Sequence, residues 1–203
     1  MDAQFWNERF SQDEYVYGTS PNTFLVSSMK YFPQSGQVLS LAEGEGRNAV
    51  YLSLQGYDVR AVDQSSAGQV KAQRLAQKHS VEVEYILSDL NTFDFGEEQW
   101  DAVISIFAHP EPAIRNHVFK KTIRGLKPGG IFLLESYHPK QLEYGTGGPK
   151  EASRLVAIEH LNVFFPHGRV LHQAELERDV REGACHFGDA YVTQFIWEKG
   201  ASV

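Results

Sequence analysis

The sequence predicts an α/β fold: a doubly wound, mostly parallel seven-stranded sheet closed by an antiparallel C-terminal hairpin. Three observations predict it. A strand, a glycine-rich turn, a helix, a second strand and a terminal acid follow one another within residues 37–63. Further apolar runs then alternate with helical patterns, as in repeated strand–helix–strand units. The last third of the chain carries two long alternating segments, which read as paired antiparallel strands.

Val38-Leu39-Ser40-Leu41-Ala42 reads as a buried first strand, and Glu43 to Asn48 as the turn. Ala49 to Gln55 opens a helix that Gly56 ends, and Asp58 to Val62 is the second strand with Asp63 at its tip. Before this unit, Phe5, Trp6 and Phe10 form an apolar stripe on a short helix. Pro21 to Tyr31 reads as a second helix, with Ser20 as N-cap and Pro21 in its first turn. After it come a helix over Ser66–His79, a third strand over Val83–Leu87 and a fourth over Trp100–Phe107. A helix over Glu111–Leu126 ends at Lys127-Pro128-Gly129-Gly130, and Ile131–Glu135 is the fifth strand. Gln141–Lys150 is a glycine-bearing loop, Ala152–Phe165 a last helix, and Val170–Val180 with Ala190–Glu198 the hairpin.

The first unit has the layout of a nucleotide-binding half. A turn without side chains lets backbone approach a ligand, and the helix N-terminus behind it offers free N–H groups. A carboxylate at Asp63 can accept both ribose hydroxyl protons. Gly44-x-Gly46-x-x-Ala49 fits the dinucleotide fingerprint. Glu43 and Glu45 argue against a pyrophosphate there, at about 1 kcal/mol or more per like-charge pair near a surface. A sulfonium cofactor carries no phosphate, so S-adenosylmethionine suits the turn better than NAD.

These residues resemble motif I of class I S-adenosylmethionine-dependent methyltransferases. Glu14-Tyr15-Val16-Tyr17-Gly18 and Pro21-Asn22-x-Phe24-Leu25 resemble the N-terminal signature of the small-molecule branch, nearest to tellurite-resistance and thiopurine-type enzymes. Trp100 to Phe107, Leu126 to Gly130 and Ile131 to Glu135 match that family's fourth strand, turn and fifth strand. Ser40 and Ala42 depart from it, standing where many members have Asp and Gly. The resemblance implies one methyltransferase domain over 1–203, with a helical lid over 1–32 and a Rossmann-like core over 37–203. Tyr17, Asn22, Glu43, Gly44, Gly46, Asn48, Asp63, Gln64, Ser88, Asp89, Leu90, Ser105 and Phe107 become the expected cofactor-binding residues. Tyr17 and Phe107 could face the sulfonium with aromatic rings. Tyr17, His109, Tyr137 and His186 are the candidates for catalysis, with no essential base assigned.

Composition narrows the class. Of 203 residues, 19 are basic and 26 acidic, a net charge of −7 that disfavours nucleic acid as a partner. The single cysteine, Cys185, excludes an intramolecular disulfide, and the eight histidines show no metal-ligand spacing. No apolar run is long enough for a membrane span, and the start lacks a signal-peptide core, so a cytoplasmic protein acting on a small molecule is expected. The competing readings are an NAD-dependent reductase and a non-catalytic binder of the adenosyl cofactor. The chain ends after the hairpin, without the separate substrate domain a reductase of this type usually carries.

Overall fold

The computed structural model describes residues 2–201. β1 (Gln37–Leu41), β2 (Asp58–Asp63), β3 (Glu84–Leu87), β4 (Trp100–Ile106), β5 (Leu126–Tyr137), β6 (Arg169–Arg181) and β7 (Phe187–Glu198) form one sheet in the order β3-β2-β1-β4-β5-β7-β6. β1 to β5 pair in parallel, and β7 runs antiparallel to both β5 and β6. This is the doubly wound sheet with a closing hairpin that the sequence predicts.

Period-2 alternation sorts the strand side chains onto two faces. Leu39, Leu41, Val103, Phe132 and Leu134 pack with Val118 and Phe119 of α5 (Pro112–Gly125) and Leu161 of α6 (Ile158–Phe164). Val38, Val59, Ala102, Ile104 and Leu133 pack with Ala49 and Leu52 of α3 (Arg47–Leu54) and Phe24 and Leu25 of α2 (Thr23–Ser28). β5 is buried from Ile131 to Tyr137, as a central strand covered on both faces must be.

Four details depart from the sequence expectation. α2 begins later, because the Asn22 side chain, not Ser20, accepts the Leu25 N–H and caps it at 2.9 Å. Residues 127–130 do not simply end α5. They bulge between two registered pairs, Trp100 with Leu126 and Ala102 with Ile131. The expected helix over Ala152–Phe165 is broken. A 3₁₀ turn over Ala152–Arg154 gives way to extended chain, where the Val156 N–H donates to the Tyr137 carbonyl at 3.0 Å, and α6 follows. The hairpin strands also run further towards their turn than the alternation indicates, leaving only residues 182–186 between them.

α1 (Ala3–Arg9) lies against α4 (Ser66–Lys78). The Asn7 side-chain oxygen accepts from the Ser65 hydroxyl (2.8 Å) and the Ala67 N–H (3.1 Å), adding a cap from outside α4 to the one that Ser65 supplies to Gly68. Phe10, buried, follows α1 and packs on the glycine turn.

Candidate functional site

A cavity of about 1740 Å³ opens along the carboxyl edge of β1, β2, β3 and β4. This is the crevice where the strand order reverses, the usual ligand position in open α/β sheets. α1, the 182–186 turn and the 145–151 loop border it from above. Two non-glycine residues there, Ala42 after β1 and Phe107 after β4, each hold a left-handed backbone at φ +50°. Such conformations cost energy and concentrate at functional sites.

The two turn glutamates are occupied by the protein itself. Glu43 is buried, and one of its oxygens accepts the Asn48 and Ala49 N–H groups at 2.9 Å, so it caps α3. Its second oxygen accepts the Ser40 hydroxyl. Burial pushes the Glu43 carboxyl above its usual range. Glu45 pairs with Lys71 at 2.5 Å and accepts the Val16 and Tyr17 N–H groups at 3.2 Å. The expectation that these acids select a cofactor by charge therefore needs correcting. Glu45 is neutralised by Lys71 and holds the N-terminal segment, while Glu43 holds a helix end.

Gly44 borders the cavity, and a side chain there would meet the Phe10 ring at 3.3 Å. Gly46 lies outside the cavity. A Cβ there would stand 2.7 Å from the Ala72 Cβ and 2.8 Å from the Tyr85 hydroxyl, so this glycine lets α3 and α4 approach each other. Asn48 borders the cavity, but its side-chain oxygen is taken by the Asn22 N–H at 2.9 Å.

Asp63 accepts the Gly44 N–H on one oxygen (2.9 Å) and the Ser65 N–H on the other (2.8 Å). A carboxylate oxygen accepts more than one bond, so acceptor capacity remains at the cavity wall. Burial raises its pKa against the pull of these amides and of the Gln64 amide. Gln64, Ser88, Asp89 and Leu90 line the neighbouring end of the cavity with Leu87. Asp89 is exposed and forms a turn in which one of its oxygens accepts the Asn91 N–H at 2.7 Å. Phe107 lines the cavity, and the Arg178 guanidinium stands 5.9 Å from its ring. Ser105 and Asn22 are buried and do not line it.

Of the four catalytic candidates, Tyr17, His109 and His186 line the cavity and Tyr137 does not. The Tyr137 hydroxyl is buried without a partner, and Gly147 and Gly148 pack directly on the ring. His109 Nε2 accepts the Tyr137 N–H at 3.3 Å. Burial and the nearby Arg115 and Arg154 lower its pKa to about 3. It is neutral at physiological pH, with its acceptor nitrogen in use. His186 is buried, with its centroid 4.5 Å from Tyr17 and 4.8 Å from Phe107. Its Nδ1 is buried without a partner, and burial with Arg47, Arg178 and Arg9 nearby holds its pKa well below the ordinary value.

Sequence reading missed the charge network beneath the cavity. Arg178 binds both oxygens of the fully buried Glu135, at 2.9 and 2.7 Å, and reaches Glu182 at 2.9 Å. Arg47 binds the other Glu182 oxygen at 2.6 Å. Asn22 Nδ2 donates to both carboxylates, at 2.6 and 2.9 Å. The alternation in β6 and β5 marks Arg178 and Glu135 as strand residues, but only tertiary pairing brings them together. Arg9 was also unforeseen: it lines the cavity and donates to the Cys185 sulfur at 3.4 Å.

Residues 38–130 match the family described as methyltransferase domain, a stretch that includes the glycine turn, Asp63, Asp89 and Phe107. Sterol 24-C-methyltransferase of Yarrowia lipolytica is 28% identical over 163 residues, which cover 72% of this chain and 40% of that protein. Hemagglutinin 1 of Eikenella corrodens is 37% identical over 102 residues, 49% of this chain and 34% of that one. The chain thus spans well under half the length of these curated relatives. TehB of Haemophilus influenzae superposes with a TM-score of 0.72 at 18% identity, covering 97% of this chain and 66% of that one. At that identity the likeness is one of fold. Domain match and fold agree: the chain resembles methyltransferases, and TehB in its fold.

Proposed function

We propose that this methyltransferase domain moves a methyl group from S-adenosylmethionine to a small-molecule acceptor with a soft nucleophile, a thiol or a metalloid oxyanion. The observation that carries the cofactor half is Asp63. It sits at the tip of β2 on the cavity wall, fixed by the Gly44 and Ser65 amides and with acceptor capacity left for ribose hydroxyls. Gly44 leaves the turn open, Leu87 to Leu90 offer an apolar and polar wall for a base, and Tyr17 and Phe107 present aromatic rings towards the sulfonium end. The cofactor supplies an activated methyl group whose leaving group is a neutral thioether.

The chain's own part is alignment and exclusion of water. Strand edges, α1 and the 182–186 turn enclose the cavity, and its volume exceeds what one drug-sized ligand fills, leaving room for an acceptor beside the cofactor. A neutral leaving group requires no acid. His109 is neutral with its Nε2 engaged, and the Tyr137 hydroxyl lies outside the cavity. His186 lines the cavity, but burial and the neighbouring arginines make its imidazole a weak base, so a nucleophile that needs no strong base fits these surroundings better than an alcohol.

Calorimetric titration with S-adenosylmethionine and with NADH tests the cofactor half. Micromolar binding of the first, weakened about thirtyfold or more in Asp63→Ala through loss of charge-assisted hydrogen bonds, is expected. Tight NADH binding instead would overturn it. Turnover on a panel of thiols, selenite and tellurite, with alcohols and amines as controls, tests the acceptor class.

A further inference from the structure

The buried charge network does not touch the ribose end of the cavity, and nothing in the proposed chemistry uses it. Its members come from five places in the chain: Asn22 before α2, Arg47 at the start of α3, Glu135 on β5, Arg178 on β6 and Glu182 at the start of the hairpin turn. It holds two arginines and two glutamates, so it is balanced. Each cation has a carboxylate within 2.9 Å. Glu182 joins the others at a single point, with Arg47 on one oxygen and Arg178 and Asn22 on the other. A pair this enclosed sets its attraction against lost hydration, and losing one partner strands the other charge.

What Glu182 fixes is the turn that carries Cys185 and His186 to the cavity. Apart from the network, the turn is held by its own hairpin closure and by close packing on the N-terminal segment and the cavity wall. Its backbone closes through the Glu182 N–H on the His186 carbonyl at 2.8 Å. Gly183, at φ +78°, lies so close to the N-terminal segment that a Cβ would stand 2.3 Å from the Val16 carbonyl oxygen and 2.6 Å from the Gly18 nitrogen. Cys185 meets Arg9, and His186 meets Tyr17. Arg47 directly follows the glycine turn and itself lines the cavity. One ion pair therefore ties the cofactor-facing end of α3 to the turn that covers the other side.

We propose that the Arg47–Glu182 pair is a latch that seats the 182–186 turn on α3, so that Glu182 is a positioning residue for the acceptor side of the cavity. The acceptor side is defined by the cofactor reading given above and rests on it. With the latch closed, Tyr17, Phe107 and His186 stand as one aromatic wall. With it open, the turn lifts, and Cys185 leaves Arg9 for solvent. A ligand that orders the glycine turn also orders Arg47 and thereby favours the closed position.

Cys185 is the single cysteine, so its rate of reaction with an aromatic disulfide reagent reports the turn alone. Glu182→Gln keeps the shape but leaves Arg47 without a carboxylate partner, while Arg178 keeps Glu135. Gly183→Ala props the turn away from residues 16–18 without touching the network and calibrates what a lifted turn does to Cys185. Arg47→Gln breaks the pair from its other side and serves if Glu182→Gln fails to fold. Each folded variant is expected to raise the Cys185 rate about tenfold or more over the parent. Saturating S-adenosylhomocysteine is expected to slow the parent reaction about fivefold and Glu182→Gln less than about twofold, although the ligand's Kd changes less than about threefold. Rates within about twofold of the parent in every folded variant of the Arg47–Glu182 pair, or equal protection of parent and Glu182→Gln, would overturn the latch. A parent that binds no S-adenosylhomocysteine by calorimetry would instead sink the cofactor reading, and the ligand-free rates would still decide the latch.

Discussion

The Ser40 hydroxyl donates to the Glu43 carboxylate, and the two lie buried together where β1 turns into α3. Ser40 stands where the family resemblance leads one to expect an acid, and the pairing gives a serine there a structural sense. A serine satisfies the Glu43 oxygen that the α3 amides leave over. Ser40→Asp would place two carboxylates in one buried space. It is expected to lower thermal stability by several degrees more than Ser40→Ala, which removes only a hydrogen-bond donor at a cost of about 1–3 kcal/mol. Parallel melting curves at neutral pH check the order. A Ser40→Asp protein as stable as Ser40→Ala would mean that the introduced carboxylate does not repel Glu43 in this space.

Glu43 also gives a pH signature of known sign. Its folded pKa is raised by burial. Between the unfolded value, about 4.5, and the folded one, the native state holds the proton and the unfolded state does not, so rising pH removes stability. Glu43→Gln keeps an oxygen for the Asn48 and Ala49 amides, and the Ser40 hydroxyl can reorient as an acceptor. The difference in stability between variant and parent should therefore grow in favour of the variant as pH rises above about 4.5. Asp63, raised in the same direction, keeps part of this slope in the variant. A difference that stays flat from pH 4 to 8 counts against a buried, protonation-linked Glu43.

The two glycines of the turn separate structure from site. Gly46→Ala would force a Cβ into Ala72 and Tyr85 at a φ of +93°, and a loss of about 2–4 kcal/mol is expected from overpacking and strain together. Gly44→Ala meets only the Phe10 ring at 3.3 Å, at a φ of +64°. It should cost less stability and more cofactor affinity, because the added methyl lies at the cavity wall. Melting and S-adenosylmethionine titration of both variants decide it, and the reverse ranking would show that Gly46, not Gly44, shapes the ligand site.

This contrast shows what was legible in the sequence. The strand, turn, helix, strand and acid of residues 37–63 are local and periodic, so their order could be read directly, as could the mostly parallel sheet with its closing hairpin. The same fingerprint does not say which glycine faces a ligand and which faces a helix 26 residues away. Nor does it say whether a turn acid meets solvent, a ligand or, as with Glu45, the Lys71 side chain. The broken segment at 152–165 was misread because its apolar residues fit a helical period, while Val156 bonds to Tyr137, 19 residues earlier in the chain. The Glu135–Arg178–Glu182 network was invisible for the same reason. Each member looks like an ordinary strand or turn charge until the sheet brings them together.

Glu45 offers a test of the N-terminal segment as a cover. Its oxygens hold the Val16 and Tyr17 amides, and its partner Lys71 donates to the Gln12 and Glu14 carbonyls at 2.8 and 2.6 Å. Few other polar bonds tie residues 11–18 to the core, so these contacts carry much of the segment's order. Glu45→Ala leaves the Lys71 ammonium without its carboxylate and frees both amides. Hydrogen exchange at Val16 and Tyr17 is expected to accelerate by about tenfold or more, with β1 and β4 amides unchanged. Faster exchange confined to residues 2–18, together with weaker S-adenosylmethionine binding, is the result expected of a lid. Faster exchange with unchanged binding would reduce the segment to packing, and uniform acceleration across the sheet would mean that Glu45 supports the whole fold rather than its cover.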